Sequence, residues 1–181
     1  MDAALGLFAE RGIYAPSIEE ITEAADLGKG TFYMHFASRE ALIAALVDDC
    51  FADLLALAEA DLEGVPAQGL PSALLKAHGR YFHDRPERLL LLHQARGWMK
   101  LPSAETGDLR RTFEAYVAWM RGRLAPYFKL RGIAPSQRRK AALVFAGFIS
   151  GVLSFEYILG GGPDALPRLP QDGALLCRLS S

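Results

Sequence analysis

"SIEEITEAADLGKGTFYMHF", residues 17–36, holds two short helical patterns separated by only a few turn residues. Ser17 and Glu20 stand at capping-box spacing, in which a serine and a glutamate three residues on satisfy each other's free N–H groups. A helix is therefore expected to start at Ile18, with Ile18, Ile21 and Ala25 on its inner face. Gly28 can cap a second helix, Lys29 to about His35, which turns Phe32 and Phe36 inward by their i,i+4 spacing. Two helices joined this closely cannot pack antiparallel and must cross steeply. One then braces the other, whose outer face stays on offer.

An α-helix fits the B-DNA major groove, where base edges carry the sequence code, and its positive N-terminal end favours a nearby phosphate. The second pattern suits that task. Lys29 and Arg39 can meet phosphates, Thr31, Tyr33 and His35 carry hydrogen-bonding groups, and Met34 offers apolar contact to a thymine methyl. The competing reading is a helical hairpin whose polar face meets only water, and spacing alone leaves both open.

The surrounding chain shows only helical periodicity. Leu5, Phe8 and Ala9 form one apolar stripe ended by Gly12. Ser38 caps a long helix running through Ala41, Leu42, Ala45 and Leu46 to about Leu62. The Gly/Pro-rich "GVPAQGLPS", 64–72, marks a boundary or hinge. Helices are expected at roughly 72–84 and 87–99, divided by Pro86, and at roughly 105–131, where Pro126 should kink or shorten the last turns. A last helix runs from Ser136 to the "GGGP" at 160–163, and residues 163–181 read as a loosely ordered tail. No run reads as strand, so the fold class is all-α: an N-terminal three-helix module with a helix-turn-helix, then a larger helical domain.

With 181 residues, 51% of them hydrophobic, the chain can bury one good core or a small module fused to a larger domain. The net charge of −1 divides unevenly: residues 1–50 hold three basic and nine acidic residues, a net of −6, and the remainder carries +5. Between Gly28 and Arg39 there are two cations and no acid. Cys50 and Cys177, far apart in a cysteine-poor chain, read as ordinary thiols. "MDAALGLFAERG" lacks the basic and long apolar regions of a signal peptide, which points to a soluble cytoplasmic protein.

Enzyme readings fare poorly. His78 and His83 are five apart and do not share a helix face, and no HExxH motif or cysteine pair completes a metal site. There is no GxSxG, no complete phosphate loop around Gly28-Lys29-Gly30-Thr31 and no strand-borne dinucleotide fingerprint. No catalytic residue, metal or cofactor is expected.

"LFAERGIYAPSIEEITEAADLGKGTFYMHFASREALIAAL" resembles the N-terminal domain of TetR/AcrR-family transcriptional regulators. The shared features are the LF-x-x-x-G of the first helix, the "SIEEI" opening, the "KGTFYMHF" recognition helix and the "SREAL" start of the fourth helix. The likeness covers about 45 of the 181 residues; the rest matches the family in length and helical character only. It implies a repressor dimer that holds two such modules one DNA turn apart and whose larger domain responds to a small ligand. Position by position, it implies that Lys29, Thr31, Tyr33 and His35 meet DNA and that Ser17 and Arg39 meet phosphates. With Gly30 and Met34 from the same helix, these form the expected DNA-binding set.

Three departures stand out. The family usually has Ala where this chain has Thr22, which is expected to push the two helices slightly apart. It usually has Gly where this chain has Asp26, one of the few other residues that tolerate a left-handed turn. It normally has more of helix 1 and a basic arm ahead of "AALGLF", so helix 1 is short here. The expectation is that the natural start lies upstream of Met1, or that the module binds DNA weakly with a shallow salt dependence. The second alternative makes the protein a helical dimeric ligand-binding or interaction protein with a weakened DNA module.

The expected domains are 1–46 for DNA binding, 47–162 for ligand binding and dimerisation, and 163–181 for the tail. "AALVFAGFISGVLSF", 141–155, is uncharged and apolar nearly all round. It approaches the length of a membrane span, but Ser150, Ser154, Glu156 and the terminal glycines favour a core or dimer helix. Phe145, Gly147, Phe148, Gly151 and Phe155 are its expected dimer contacts, within a four-helix bundle built from two copies. An effector pocket is expected among Tyr81, Phe82, His93, Trp98, Phe113, Tyr116, Trp119 and Met120, an aromatic and mostly uncharged set that suits an apolar or aromatic small molecule.

Overall fold

The computed structural model describes residues 1–99, 106–162 and Asp164, and every regular element among them is helical. Among the described residues nine α-helices follow in order: α1 Asp2–Arg11, α2 Ile18–Ala24, α3 Lys29–His35, α4 Arg39–Leu62, α5 Leu70–Asp84, α6 Pro86–Trp98, α7 Thr106–Arg123, α8 Ala125–Leu130 and α9 Arg138–Leu159. Short 3-10 turns at Ala67–Gly69 and Pro135–Gln137 lead into α5 and α9. The expected helix over 105–131 is two helices, because Pro126 cannot continue the hydrogen-bond ladder and instead sits in the first turn of α8. Most of the tail expected at 163–181, with Cys177, lies outside the described residues.

The helices form two compact units that do not follow chain order. The first comprises residues 1–52 and 85–113, the second 53–84 and 114–181. In the first, α1 packs on α2 and α6, and α2 on α3. Ala4, Leu5, Phe8, Ile13, Ile21, Phe32, Leu42, Ile43 and Val47 are buried there. Gly12 ends α1 with φ 82, and the loop behind it is pinned by Gln94 of α6, whose Oε1 accepts the Ile13 N–H at 2.7 Å. Arg88 of α6 also pairs with Asp49 of α4 at 3.0 Å.

The turn between α2 and α3 is a Schellman motif: Leu27 N donates to Thr22 O at 2.8 Å and Asp26 N to Glu23 O at 3.0 Å. Its left-handed position is Asp26, the only non-glycine with positive φ (53°) among the described residues. Glycine would avoid the Cβ clash there, so Asp26→Gly should raise stability by about 1 kcal/mol after its own entropy cost. Thermal melting at neutral pH would read this as an upward shift of Tm. Thr22 is buried, and its hydroxyl donates to Glu19 O at 2.9 Å, so the larger side chain is accommodated with its polar group satisfied inside α2.

In the second unit, α5 packs on α9. Ala58, Leu74, Ala77, Tyr81, Met120, Leu124, Phe128, Ile149 and Leu153 form its buried core. Glu59 receives both Trp119 Nε1 at 2.7 Å and Arg123 Nε at 2.8 Å, and Arg80 grips both carboxylate oxygens of Asp61 at 2.7 Å.

Candidate DNA-binding interface

In the first unit α3 packs on α2, and the start of α2 is fixed by a complete Ser17 capping box: Ser17 N donates to Glu20 Oε2 at 2.8 Å and Glu20 N to Ser17 Oγ at 3.2 Å. These bonds, together with Arg11 at 2.7 Å, hold the Glu20 carboxyl down at about 2. Phe32, 5% exposed, anchors α3 and meets Phe36 in a tilted ring contact with centroids 5.7 Å apart. Tyr33 meets the Phe32 ring edge-on at 5.3 Å.

The outer face of α3 is open. Tyr33 is 50% and Met34 82% exposed, Lys29, Gly30 and His35 are exposed, and Thr31 is half-buried. Gly30 has no positive φ, and a Cβ there would meet nothing within 4 Å. Neither backbone conformation nor packing among the described residues requires glycine at that point.

The cations lie otherwise than the sequence suggested. Lys29 pairs with Glu19 of α2; the contact raises the lysine pKa and lowers that of the carboxyl. Arg39 reaches back to the loop before α2, donating from Nη1 to Tyr14 O at 2.9 Å and Pro16 O at 3.3 Å, with Glu40 3.6 Å from Nη2. With Arg11 on Glu20, all three cations of residues 1–50 are engaged within the module. Arg39 thus fixes the start of α2, a role its place in the sequence did not announce.

The aromatic set expected to hold an effector divides between the units. His93, Trp98 and Phe113 belong to the first, where His93 is exposed and Phe113 meets Phe51 edge-on at 5.2 Å. Tyr81, Phe82, Tyr116, Trp119 and Met120 belong to the second, with Tyr81 and Phe82 5.1 Å apart. A residue not expected to matter sits beside them. His78 is 1% exposed; its Nδ1 lies 2.7 Å from Leu74 O and its Nε2 2.8 Å from the Tyr116 hydroxyl. A carbonyl only accepts, so Nδ1 carries the proton and Tyr116 donates to Nε2. A cleft of ≈ 340 Å³ in the second unit is lined by Glu114, Ala115, Val117, Ala118, Arg121 and Arg139, none of them in the expected effector set. No group of residues suited to hold a metal ion occurs among the described residues.

Along α9, Ala142, Ala146, Ile149 and Leu153 are buried, while Leu143, Val144, Phe155, Ile158 and Leu159 are 51–80% exposed. Of the expected dimer contacts, Phe155 and Gly147 are exposed, and Phe145, Phe148 and Gly151 are half-buried. By length and composition the stretch Pro135–Leu159 could cross a membrane; only 28% of its most apolar window is buried within the chain.

Residues 1–46 match the family described as bacterial regulatory proteins, tetR family. The match covers the first 46 of the 181 residues, the module that carries α1 to α3. The chain is 30% identical over 92 residues to the uncharacterised HTH-type transcriptional regulator YerO of Bacillus subtilis, covering 49% of this chain and 32% of that protein. It is 39% identical over 57 residues to the HTH-type transcriptional repressor DhaR of a Mycobacterium, covering 32% of this chain and 29% of that one. These matches span a third or less of the relatives' length. The fold is similar to that of the transcriptional regulator FadR from Bacillus subtilis in complex with stearoyl-CoA, at a TM-score of 0.76 and 16% identity over 92% of this chain and 89% of that one.

Proposed function

We propose that the protein is a ligand-responsive, sequence-specific DNA-binding regulator, a cytoplasmic repressor released from its operator by a small molecule and acting by binding, without a catalytic step. The observation that carries this reading is the outer face of α3. A short helix held by buried Phe32 keeps Tyr33 at 50% and Met34 at 82% exposure, beside a glycine that nothing among the described residues requires. Two adjacent large side chains exposed on one seven-residue helix suit a surface that a partner covers. A major groove does so, with Gly30 allowing close backbone approach, Thr31, Tyr33 and His35 meeting base edges or phosphates, and Met34 a thymine methyl. Ser17, Lys29 and Arg39 complete the DNA-facing set, with Lys29 and Arg39 exchanging their present partners for phosphates.

The module is residues 1–46, and 47–162 form the responding domain. There the buried side chains of the second unit, Tyr81, Phe82, Tyr116 and Met120, with half-buried Trp119, suit an apolar or aromatic effector, in keeping with a fold neighbour that holds stearoyl-CoA. The exposed apolar stripe of α9 fits a homodimer. A Cβ at Gly147 or Gly151 would meet only open space, so two α9 helices can approach closely there through Phe148 and Phe155, with Phe145 beside them.

Fluorescence anisotropy with duplex from the region upstream of the protein's own gene, against scrambled duplex at two salt concentrations, tests the reading. Saturable binding that prefers the natural duplex and weakens with salt is expected. Equal binding to both duplexes by folded protein would overturn it and favour an interaction protein with a weakened DNA module, which the engagement of Arg11, Lys29 and Arg39 would then explain.

A further inference from the structure

We propose that the cleft between α7 and α9 is completed by a second copy of this chain, with Glu114 of each protomer seated against Arg121 and Arg139 of the other. This rests on the homodimer reading above and names the contacts that set its register.

Glu114, Ala118 and Arg121 are four and three residues apart and so share one face of α7, with Ala115 and Val117 beside them. Arg139, in the first turn of α9, lines the same cleft. Neither Glu114, Arg121 nor Arg139 has an ion-pair or hydrogen-bond partner among the described residues. This is unlike Arg11, Lys29, Arg80, Arg88, Arg111 and Arg123, all of which are paired. Within one helix, seven residues span roughly 10 Å, too far for Glu114 and Arg121 to reach each other.

A surface with opposite charges at the two ends of a seam of small side chains complements itself under a two-fold rotation. In an isologous contact, residue i meets j of the partner and j meets i. An antiparallel copy of α7 crossing at Val117 and Ala118 brings Glu114 against the partner's Arg121 and, by the same operation, Arg121 against the partner's Glu114. The alanines allow the helices to come close.

The start of α9 points the same way. Arg138, Arg139 and Lys140 occupy its first turn with no acid and no side-chain cap, although the positive end of a helix favours negative charge. Arg138 is turned to Ile133 O at 3.2 Å, which leaves Arg139 to receive a carboxylate from outside the chain. Since α9 also carries the exposed apolar stripe, charged and apolar contacts lie on the same pair of helices.

Sedimentation equilibrium over a dilution series, on wild type, E114R, R121E and the double variant E114R/R121E, tests the inference. Each single reversal sets like charges together twice in the symmetric dimer and should raise the dimer Kd at least about tenfold. The double variant exchanges the partners and should recover most of that loss, short of all because Arg139 still faces the new arginine. Circular dichroism melts on all four proteins separate lost association from lost folding, and E114Q with R121Q gives the neutral comparison. A dimer indifferent to the single reversals, or a double variant as weak as the two singles combined, would overturn the assignment while leaving the dimer standing. A monomeric wild type would overturn the homodimer reading itself.

Discussion

Folding stability should fall by about 2 kcal/mol between neutral pH and pH 5 through one imidazole, His78, and by about 3 kcal/mol by pH 4. Burial holds its pKa down at about 4, partly opposed by the Leu74 carbonyl, while an unfolded histidine titrates near 6.5. Between these values the unfolded chain takes up a proton that the folded chain refuses. The unfolded state binds more protons in that window, so stability rises with pH there and is lost as acid is added. The acidic pairs of the first unit act lower down. Glu20, with its carboxyl at about 2, begins to lose its contribution only below its ordinary value of 4.5.

Urea midpoints at pH 7.5, 6 and 5 would therefore report His78 before the carboxylates interfere. His78→Leu should flatten that slope, yet cost about 1–3 kcal/mol at pH 7.5 because the Tyr116 hydroxyl loses its acceptor. Adding Tyr116→Phe to it should return part of that cost. A slope unchanged by His78→Leu would mean that the imidazole is not held neutral in the folded protein.

The difference between what was legible in the sequence and what was not follows the range of the interaction. The Ser17–Glu20 box, the Gly12 stop, the Gly28 cap and the left-handed Asp26 are set by atoms within a few residues, and each is where local chemistry puts it. Pro126 likewise announces a break, though not that a separate α8 follows. Contacts set by packing were not legible. Gln94 closes the Ile13 N–H from 81 residues away, and nothing near either position signals it. The division of the aromatic set between two units has the same origin, since periodicity shows that His93 and Tyr116 lie on helices but not what each helix faces.

Charge shows the limit most clearly. The run from Gly28 to Arg39 holds two cations and no acid, which reads as a surface free for phosphate. Packing of α3 on α2 brings Glu19 to Lys29, and the loop before α2 receives Arg39. A linear charge count sees neither. The α3 face itself was legible, because Phe32 buried and Tyr33 and Met34 exposed follow from helical periodicity alone.

DNA binding should respond in opposite ways to two changes ten residues apart. Glu19 competes with phosphate for Lys29, and both side chains are about half exposed, so their ion pair is worth little and breaks readily. Glu19→Gln should then tighten binding a few-fold to the natural and scrambled duplexes alike, by freeing a cation and removing a negative charge beside the phosphates. Lys29→Gln should weaken binding to both, and flatten the slope of log affinity against log salt by about 0.9, one phosphate contact. Tyr33→Ala should act differently. Its ring stands on the buried Phe32 edge at the outer face of α3, so its loss should cost about 1–3 kcal/mol on the natural duplex and little on the scrambled one, with the salt slope unchanged. Anisotropy titrations of the three variants at several salt concentrations separate these signatures. Equal losses on both duplexes for Tyr33→Ala would make that ring a backbone contact and move sequence reading to Thr31, Met34 and His35. An unchanged slope for Lys29→Gln would mean that the Glu19 pair persists on DNA and that the module meets phosphates through other groups.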